Sequence, residues 1–162
     1  MFPFGHVGPS MTLARRWGAD ARWAAVLALG PDLVDKPLSM LVPVFVNGNT
    51  RSIGHTALAA AIVLAALVAA RRRLCRPWFL WGCWLSHLAL DRMWLDRSPE
   101  IFLWPLRGGF PPPDQGYLET YFNPWYVFGE AAGVLLLAAF VLRHGLTIRS
   151  RLADFLRSGR LS

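Results

Sequence analysis

The sequence predicts an all-α protein, a polytopic transmembrane helix bundle with a short N-terminal helical hairpin. Of the 162 residues, 54% are hydrophobic and only 17% are charged, which is apolar for a soluble domain. Three apolar segments approach the roughly 20 residues that a helix needs to cross a bilayer. Arginines lie directly beside these segments, so membrane flanks explain the net charge of +7 better than nucleic-acid binding does.

The predicted spans differ in their boundaries but share a high content of alanine, glycine and leucine, which suits close helix packing in lipid. Upstream of them, two short apolar stretches broken at Gly18 predict the hairpin, and a segment rich in proline and glycine predicts a loop. The spans cover residues 54–70, 77–95 and 125–142, the hairpin helices cover residues 4–17 and 19–30, and the loop covers residues 107–116.

Two regions of different character follow from this pattern. Residues 1–146 form a transmembrane helical domain, and residues 147–162 form a basic amphipathic tail that we expect to lie on the membrane surface. Arginines fill the short loop 71–76 and follow the last span. Because positive loops remain in the cytoplasm, we expect a multi-pass protein with a cytoplasmic C-terminus.

This topology places ionisable side chains from four separate segments near the outer end of the bundle. Such side chains are costly inside a membrane and are functional candidates by default. His87 and Asp91 stand four residues apart, on one face of a helix. Imidazoles and carboxylates at one depth are a donor set suited to zinc or another divalent ion. The predicted metal ligands are His6, Asp32, Asp35, His55, His87 and Asp91.

Each of these residues also has a simpler explanation. His87 and Asp91 could form a hydrogen bond without a metal, and Glu130 could pair with an arginine such as Arg92. The two aspartates after the hairpin could cap a turn or begin the next helix, and His55 could be a half-buried polar residue. Sequence signatures of other hydrolases are absent, among them Gly-x-Ser-x-Gly and His-Glu-x-x-His.

Five short motifs occur in a defined order: Gly5-His6, Leu-Gly-Pro-Asp-Leu-Val-Asp at 29–35, Arg-Ser-Ile-Gly-His-Thr at 51–56, Ser-His-Leu-Ala-Leu-Asp at 86–91 and Leu-Trp-Pro at 103–105. In these motifs the sequence resembles the bacterial membrane-bound metal-dependent hydrolases, also described as LexA-binding, inner-membrane-associated hydrolases. That family is distantly similar to zinc-dependent phospholipase C and P1-type nucleases. Two positions, Lys36 and Thr50, carry other residues where many members have histidine.

The resemblance and the polar cluster together predict a metal-dependent hydrolase in the bacterial inner membrane, with its site near the outer face. We expect zinc as the cofactor and a phosphate ester of a lipid or lipid-linked molecule as the substrate. Arg51 is expected to bind the phosphate, because its forked guanidinium matches phosphate oxygens. Glu130 is expected to be a further ligand or the general acid/base.

Two other functions remain open from the sequence. One is a non-enzymatic membrane scaffold or accessory protein with a degenerate metal site. The other is an ion or proton pathway, which ranks last because the inner halves of the predicted spans are nearly pure alanine, leucine and valine.

Overall fold

The computed structural model describes residues 3–47, 49–72, 74–95, 98–112 and 122–159. Within these ranges the chain forms seven α-helices, one short 3₁₀ helix (Ile53–His55) and no strand, so the all-α prediction is confirmed. The helices are α1 (Pro3–Arg16), α2 (Ala21–Leu41), α3 (Ala57–Ala69), α4 (Pro77–Leu90), α5 (Ser98–Phe102), α6 (Pro124–Arg143) and α7 (Arg149–Ser158).

Among the described helices, only α6 is long and apolar enough to cross a membrane by itself. The prediction that the other two apolar segments are spans is wrong, because these segments form helices of only 13 and 14 residues, α3 and α4. At 1.5 Å per residue each is about 20 Å long, whereas the hydrocarbon core is roughly 30 Å thick. The first span is shortened because residues 53–55 form the 3₁₀ helix, and the second because the chain turns at Arg92, whose φ is 57°.

Helix α2 is longer than the sequence predicts. The expected helix of residues 19–30 instead continues through Pro31 and Pro37 to Leu41. Asp32 and Asp35, expected in the chain leaving the hairpin, therefore lie inside a helix and one turn apart. Proline disturbs the backbone hydrogen bonds of the preceding turn, and in the turn before Pro31 the Ala28 carbonyl oxygen is hydrogen-bonded to the His87 ring.

Helices α1 and α6 pack backbone to backbone through two glycines. A Cβ atom on Gly8 would collide with the Gly133 carbonyl group, and one on Gly133 would collide with the Phe4 carbonyl group. Small residues allow this close approach, as in many membrane helix pairs. The first turn of α1 is thereby held against the first half of α6.

Helix α4 contributes to both apolar cores of the bundle. Leu80 belongs to the core that contains residues of α1, α2, α6 and α7, and Leu88 belongs to the core beneath α5. His87 lies between them along the helix and is fully buried. The site therefore has a packed apolar surrounding.

The C-terminal helix α7 lies within the predicted amphipathic tail and is tied to the N-terminal hairpin. Phe155 is buried against Phe140, and Arg22 donates a hydrogen bond of 2.9 Å to the Leu156 carbonyl oxygen. Partial burial by itself would raise the pKa of the Asp20 carboxyl. The hydrogen bonds and the positive charge of Arg22 together outweigh this effect, so the pKa is lowered. The charged Asp20–Arg22 pair thus joins the start of α2 to α7.

Candidate metal centre

Five of the predicted ligands meet at one place, and they come from four segments of the chain. The histidines are fully buried, and Asp91 is nearly so. Five pairs of possible ligand atoms lie within 4.0 Å of each other: His55 Nε2–His87 Nε2 at 3.2 Å, His6 Nε2–Asp91 Oδ1 at 3.4 Å, His55 Nε2–Asp91 Oδ2 at 3.5 Å, His87 Nε2–Asp32 Oδ1 at 3.8 Å and His87 Nε2–Asp91 Oδ2 at 4.0 Å.

The local fold explains how His55 reaches this cluster. Gly54 packs against α2, where an added Cβ atom would lie 2.6 Å from the Pro31 carbonyl oxygen. Thr56 then caps α3 by accepting a hydrogen bond from the Ala59 N–H. The 3₁₀ turn is thus fixed between α2 and α3, with the His55 ring directed at α4.

Hydrogen bonds to the other ring nitrogen define the tautomers of His87 and His55. The Nδ1 atom of His87 lies 2.7 Å from the Ala28 carbonyl oxygen, which can only accept, so Nδ1 carries the proton. The Nδ1 atom of His55 lies 2.7 Å from Asp35 Oδ2, and the same reasoning applies. In the neutral rings, both Nε2 atoms therefore present lone pairs to each other at 3.2 Å. Either a shared proton or a metal ion is needed between them.

These donors fit a zinc-type ion. Zinc binds histidine nitrogen and carboxylate oxygen at about 2.0–2.2 Å, so two ligands of one ion lie at most about 4.4 Å apart. The five donor distances run from 3.2 to 4.0 Å. In two triads, His6–His87–Asp91 and Asp32–His55–His87, the possible ligand atoms all lie within 4.8 Å of one another. The His6 ring adds a further sign, because both of its nitrogens are buried and neither forms a hydrogen bond with a described residue, although Nε2 lies 3.4 Å from Asp91 Oδ1.

Asp35 was predicted as a metal ligand, and the structure places it behind His55 instead. Its carboxylate is fully buried and accepts three hydrogen bonds, from the Ser52 N–H at 2.6 Å, the Gly54 N–H at 2.7 Å and His55 Nδ1 at 2.7 Å. Both oxygens are therefore engaged, and neither belongs to a triad. A carboxylate in this position orients a ligating histidine and increases its basicity.

Arg51 lies at the edge of the cluster. Its Nε atom is 3.2 Å from Asp91 Oδ2, and its Nη2 atom donates to the Tyr126 hydroxyl at 3.2 Å. Tyr126 is not among the residues that the sequence predicted for the site, although its spacing of four residues from Glu130 places both on one face of α6. On the other side, Lys36 pairs with Asp32 Oδ2 at 2.7 Å. Two cations thus flank the carboxylates.

Glu130 belongs to neither triad. Its carboxylate accepts hydrogen bonds from the backbone N–H groups of Phe4 at 3.2 Å and Gly5 at 2.7 Å. Glu130 thus binds the N-terminus of α1, and its role as a further ligand or general acid/base stays a prediction. Arg92, its alternative partner from the sequence, lies over the Trp125 ring at 6.0 Å.

Comparison with known proteins agrees with the motifs. The model of the YdjM inner membrane protein family matches residues 4–152, which is most of the chain. No curated protein and no solved structure gives a significant match. The matched range includes every residue of the histidine and aspartate cluster. The chain therefore belongs to the YdjM inner membrane protein family, the LexA-regulated membrane-bound metal-dependent hydrolase family that the sequence motifs indicated.

Proposed function

We propose that this protein is a membrane-embedded hydrolase that uses a divalent metal, with zinc as the best fit, to cleave a phosphate ester of a lipid or lipid-linked substrate. The observation that supports this proposal most is the distance of 3.2 Å between the Nε2 atoms of His55 and His87. In each ring, the hydrogen bond made by Nδ1 fixes the tautomer that leaves Nε2 without a proton. A dry protein core would avoid two opposed lone pairs, whereas a metal site requires them.

The residues divide into three groups by their place. His6, His55, His87, Asp32 and Asp91 would hold the metal, and Asp35 would keep His55 in the ligating tautomer. Arg51 would bind a phosphate oxygen, since its guanidinium lies beside Asp91. A bound divalent ion lowers the pKa of water and polarises a phosphoryl oxygen. The Tyr126 hydroxyl would hold Arg51 toward the substrate.

The surface supports a membrane location. Helix α6 is largely unburied in the bundle, and Phe128, Leu135 and Leu142 are each 70% or more exposed. At the end of α2, Met40, Leu41 and Val44 are 81%, 79% and 93% exposed. Apolar patches of this kind mark membrane contacts. Asp32 and Asp35 lie on the same helix as Met40 and Leu41, so a lipid that contacts this surface would lie near the site.

The orientation can be tested with the native cysteines. Cys75 is exposed in the arginine-rich loop, whereas Cys83 is buried. We expect a membrane-impermeant maleimide to label Cys75 only after the inner membrane is permeabilised, because positive loops stay in the cytoplasm. Cys75→Ser is the control that should abolish labelling. Labelling of Cys75 on intact spheroplasts would reverse the topology and put the site on the cytoplasmic side.

The activity itself is tested with purified protein in detergent–phospholipid micelles. We expect release of phosphate or of a phosphorylated headgroup that requires added Zn²⁺ or another divalent ion and stops with a chelator. A preparation that binds metal but cleaves none of the phosphomonoesters and phosphodiesters offered would instead support a scaffold with a degenerate site. The ion pair between Lys36 and Asp32 favours that second function, because it partly neutralises a ligand.

Arg51→Lys is expected to lower kcat/KM by at least about ten-fold, with little change in metal content. Lysine keeps the positive charge but loses the forked geometry that binds phosphate. The melting temperature of the detergent-solubilised protein should change by only a few degrees. A large fall in melting temperature with unchanged kinetics would make Arg51 a structural partner of Asp91 and Tyr126.

A further inference from the structure

We infer that Glu130 is a positioning residue that acts through the backbone of α1 to place His6 in the metal centre. This inference rests on the proposed metal site and assigns a residue that holds one of its ligands. The Glu130 carboxylate is bonded to the N–H groups of Phe4 and Gly5, the two residues that directly precede His6.

The chemistry of this contact is that of a helix N-terminus. The first N–H groups of a helix have no acceptor within the helix, and the aligned peptide dipoles favour a negative charge there. Glu130 supplies two acceptor oxygens from a neighbouring helix, at 3.2 and 2.7 Å. An acidic side chain from the first turn of α1 itself is lacking. The carboxylate therefore replaces a local cap.

His6 depends on this contact more than the other histidines do. The rings of His55 and His87 are fixed by hydrogen bonds from Nδ1 to Asp35 and to the Ala28 carbonyl oxygen. The His6 ring is fully buried, and no hydrogen bond to a described residue holds its Nδ1 atom, while Nε2 lies 3.4 Å from Asp91 Oδ1 within the cluster itself. It stacks on His87 with ring centroids 3.8 Å apart. Stacking fixes the plane of the His6 ring, but it does not fix how the ring is rotated within that plane. The position of its backbone therefore decides where Nε2 lies.

The same face of α6 contacts α1 again one turn after Glu130. Gly133 lies against the carbonyl group of Phe4, so close that an added Cβ atom would collide with it. Tyr126, one turn before Glu130, contacts Arg51. One stripe of α6 thus touches the site on two sides, through Arg51 and through His6. Glu130 is the only charged member of this stripe.

The test measures Co²⁺ binding to the detergent-solubilised protein, through both affinity and the visible d–d absorption that reports coordination. We expect Glu130→Ala to weaken Co²⁺ binding by about ten-fold or more, as loss of an orienting partner does in other metal sites. His6→Ala should produce the same change in absorption. The double variant should be no weaker than His6→Ala, because Glu130 acts only through His6. Glu100→Gln, which removes an exposed carboxylate on α5, is the control and should bind as the wild type does.

Glu130→Gln covers the case in which the alanine variant does not fold. Its amide keeps one acceptor but turns a donor toward the second N–H, so we expect an intermediate affinity and faster amide exchange at Phe4 and Gly5. Additive losses in the double variant would overturn the inference and make Glu130 an independent ligand. Wild-type affinity in both Glu130 variants would also overturn it. If the wild type binds no Co²⁺, the proposed function fails, and unchanged amide exchange in Glu130→Gln would separately refute the hold on α1.

Discussion

His87→Ala should abolish stoichiometric metal binding while leaving the helix content intact. His87 belongs to both candidate triads, and its Nε2 atom lies within 4.0 Å of donors from His55, Asp32 and Asp91. Removing it takes away the ligand that the two triads share. Hydrolytic activity should fall to background. Elemental analysis of the purified variant should show the loss of bound metal.

Stability gives a second measurement for the same variant. A ligand that binds only the folded state at 100 times its Kd adds about 2.7 kcal/mol. A chelator should therefore lower the melting temperature of the wild type but not that of His87→Ala. His144→Ala is the matched control, because His144 lies at the other end of α6 against Arg15. Equal metal content in His87→Ala and the control would contradict the assignment.

Asp35→Ala is expected to be the most destabilising single change in the site. It leaves three buried donors without an acceptor: the N–H groups of Ser52 and Gly54 and the Nδ1–H of His55. Each unsatisfied buried group costs about 1–3 kcal/mol, so a loss of about 3 kcal/mol or more follows. The melting temperature of the chelator-treated protein measures this loss free of any contribution from metal.

Asp32 offers the comparison on the same helix. It is paired with Lys36 at the surface of the cluster and carries one oxygen toward His87. Asp32→Ala should therefore reduce metal binding but cost little stability after chelation, whereas Asp35→Ala should be destabilised under both conditions. The reverse order would mean that Asp32 is the orienting residue and Asp35 the ligand.

The sequence predicted most of the residues that meet in the cluster, because ionisable residues stand out in an apolar chain. The spacing of His87 and Asp91 was informative by itself, since four residues is one helical turn. The convergence of His6 and His55 with them followed from the predicted direction of each helix and from the family motifs. Lengths were less predictable. An apolar composition continues across the 3₁₀ turn at Gly54 and His55, so the pattern could not show that α3 begins only at Ala57.

The roles of Asp35 and Glu130 lay beyond the sequence for a physical reason. In a sequence, a carboxylate that binds a metal cannot be distinguished from one that binds backbone N–H groups, because both are simply Asp or Glu in an apolar segment. Only the packing of α2 against residues 52–55, and of α1 against α6, separates the two. Part of the predicted loop 107–116, from residue 113 onward, lies outside the described residues.

The most direct measurement of the central claim is elemental analysis combined with X-ray absorption on the wild-type protein, purified without added metal or chelator. The account predicts a zinc-type divalent ion in stoichiometric amount, with imidazole nitrogen and carboxylate oxygen ligands at about 2.0–2.2 Å. Protein that contains no metal, takes up none from micromolar Zn²⁺ and melts at the same temperature with and without chelator would contradict it. In that case the proton shared between His55 and His87 would be the correct account of the cluster.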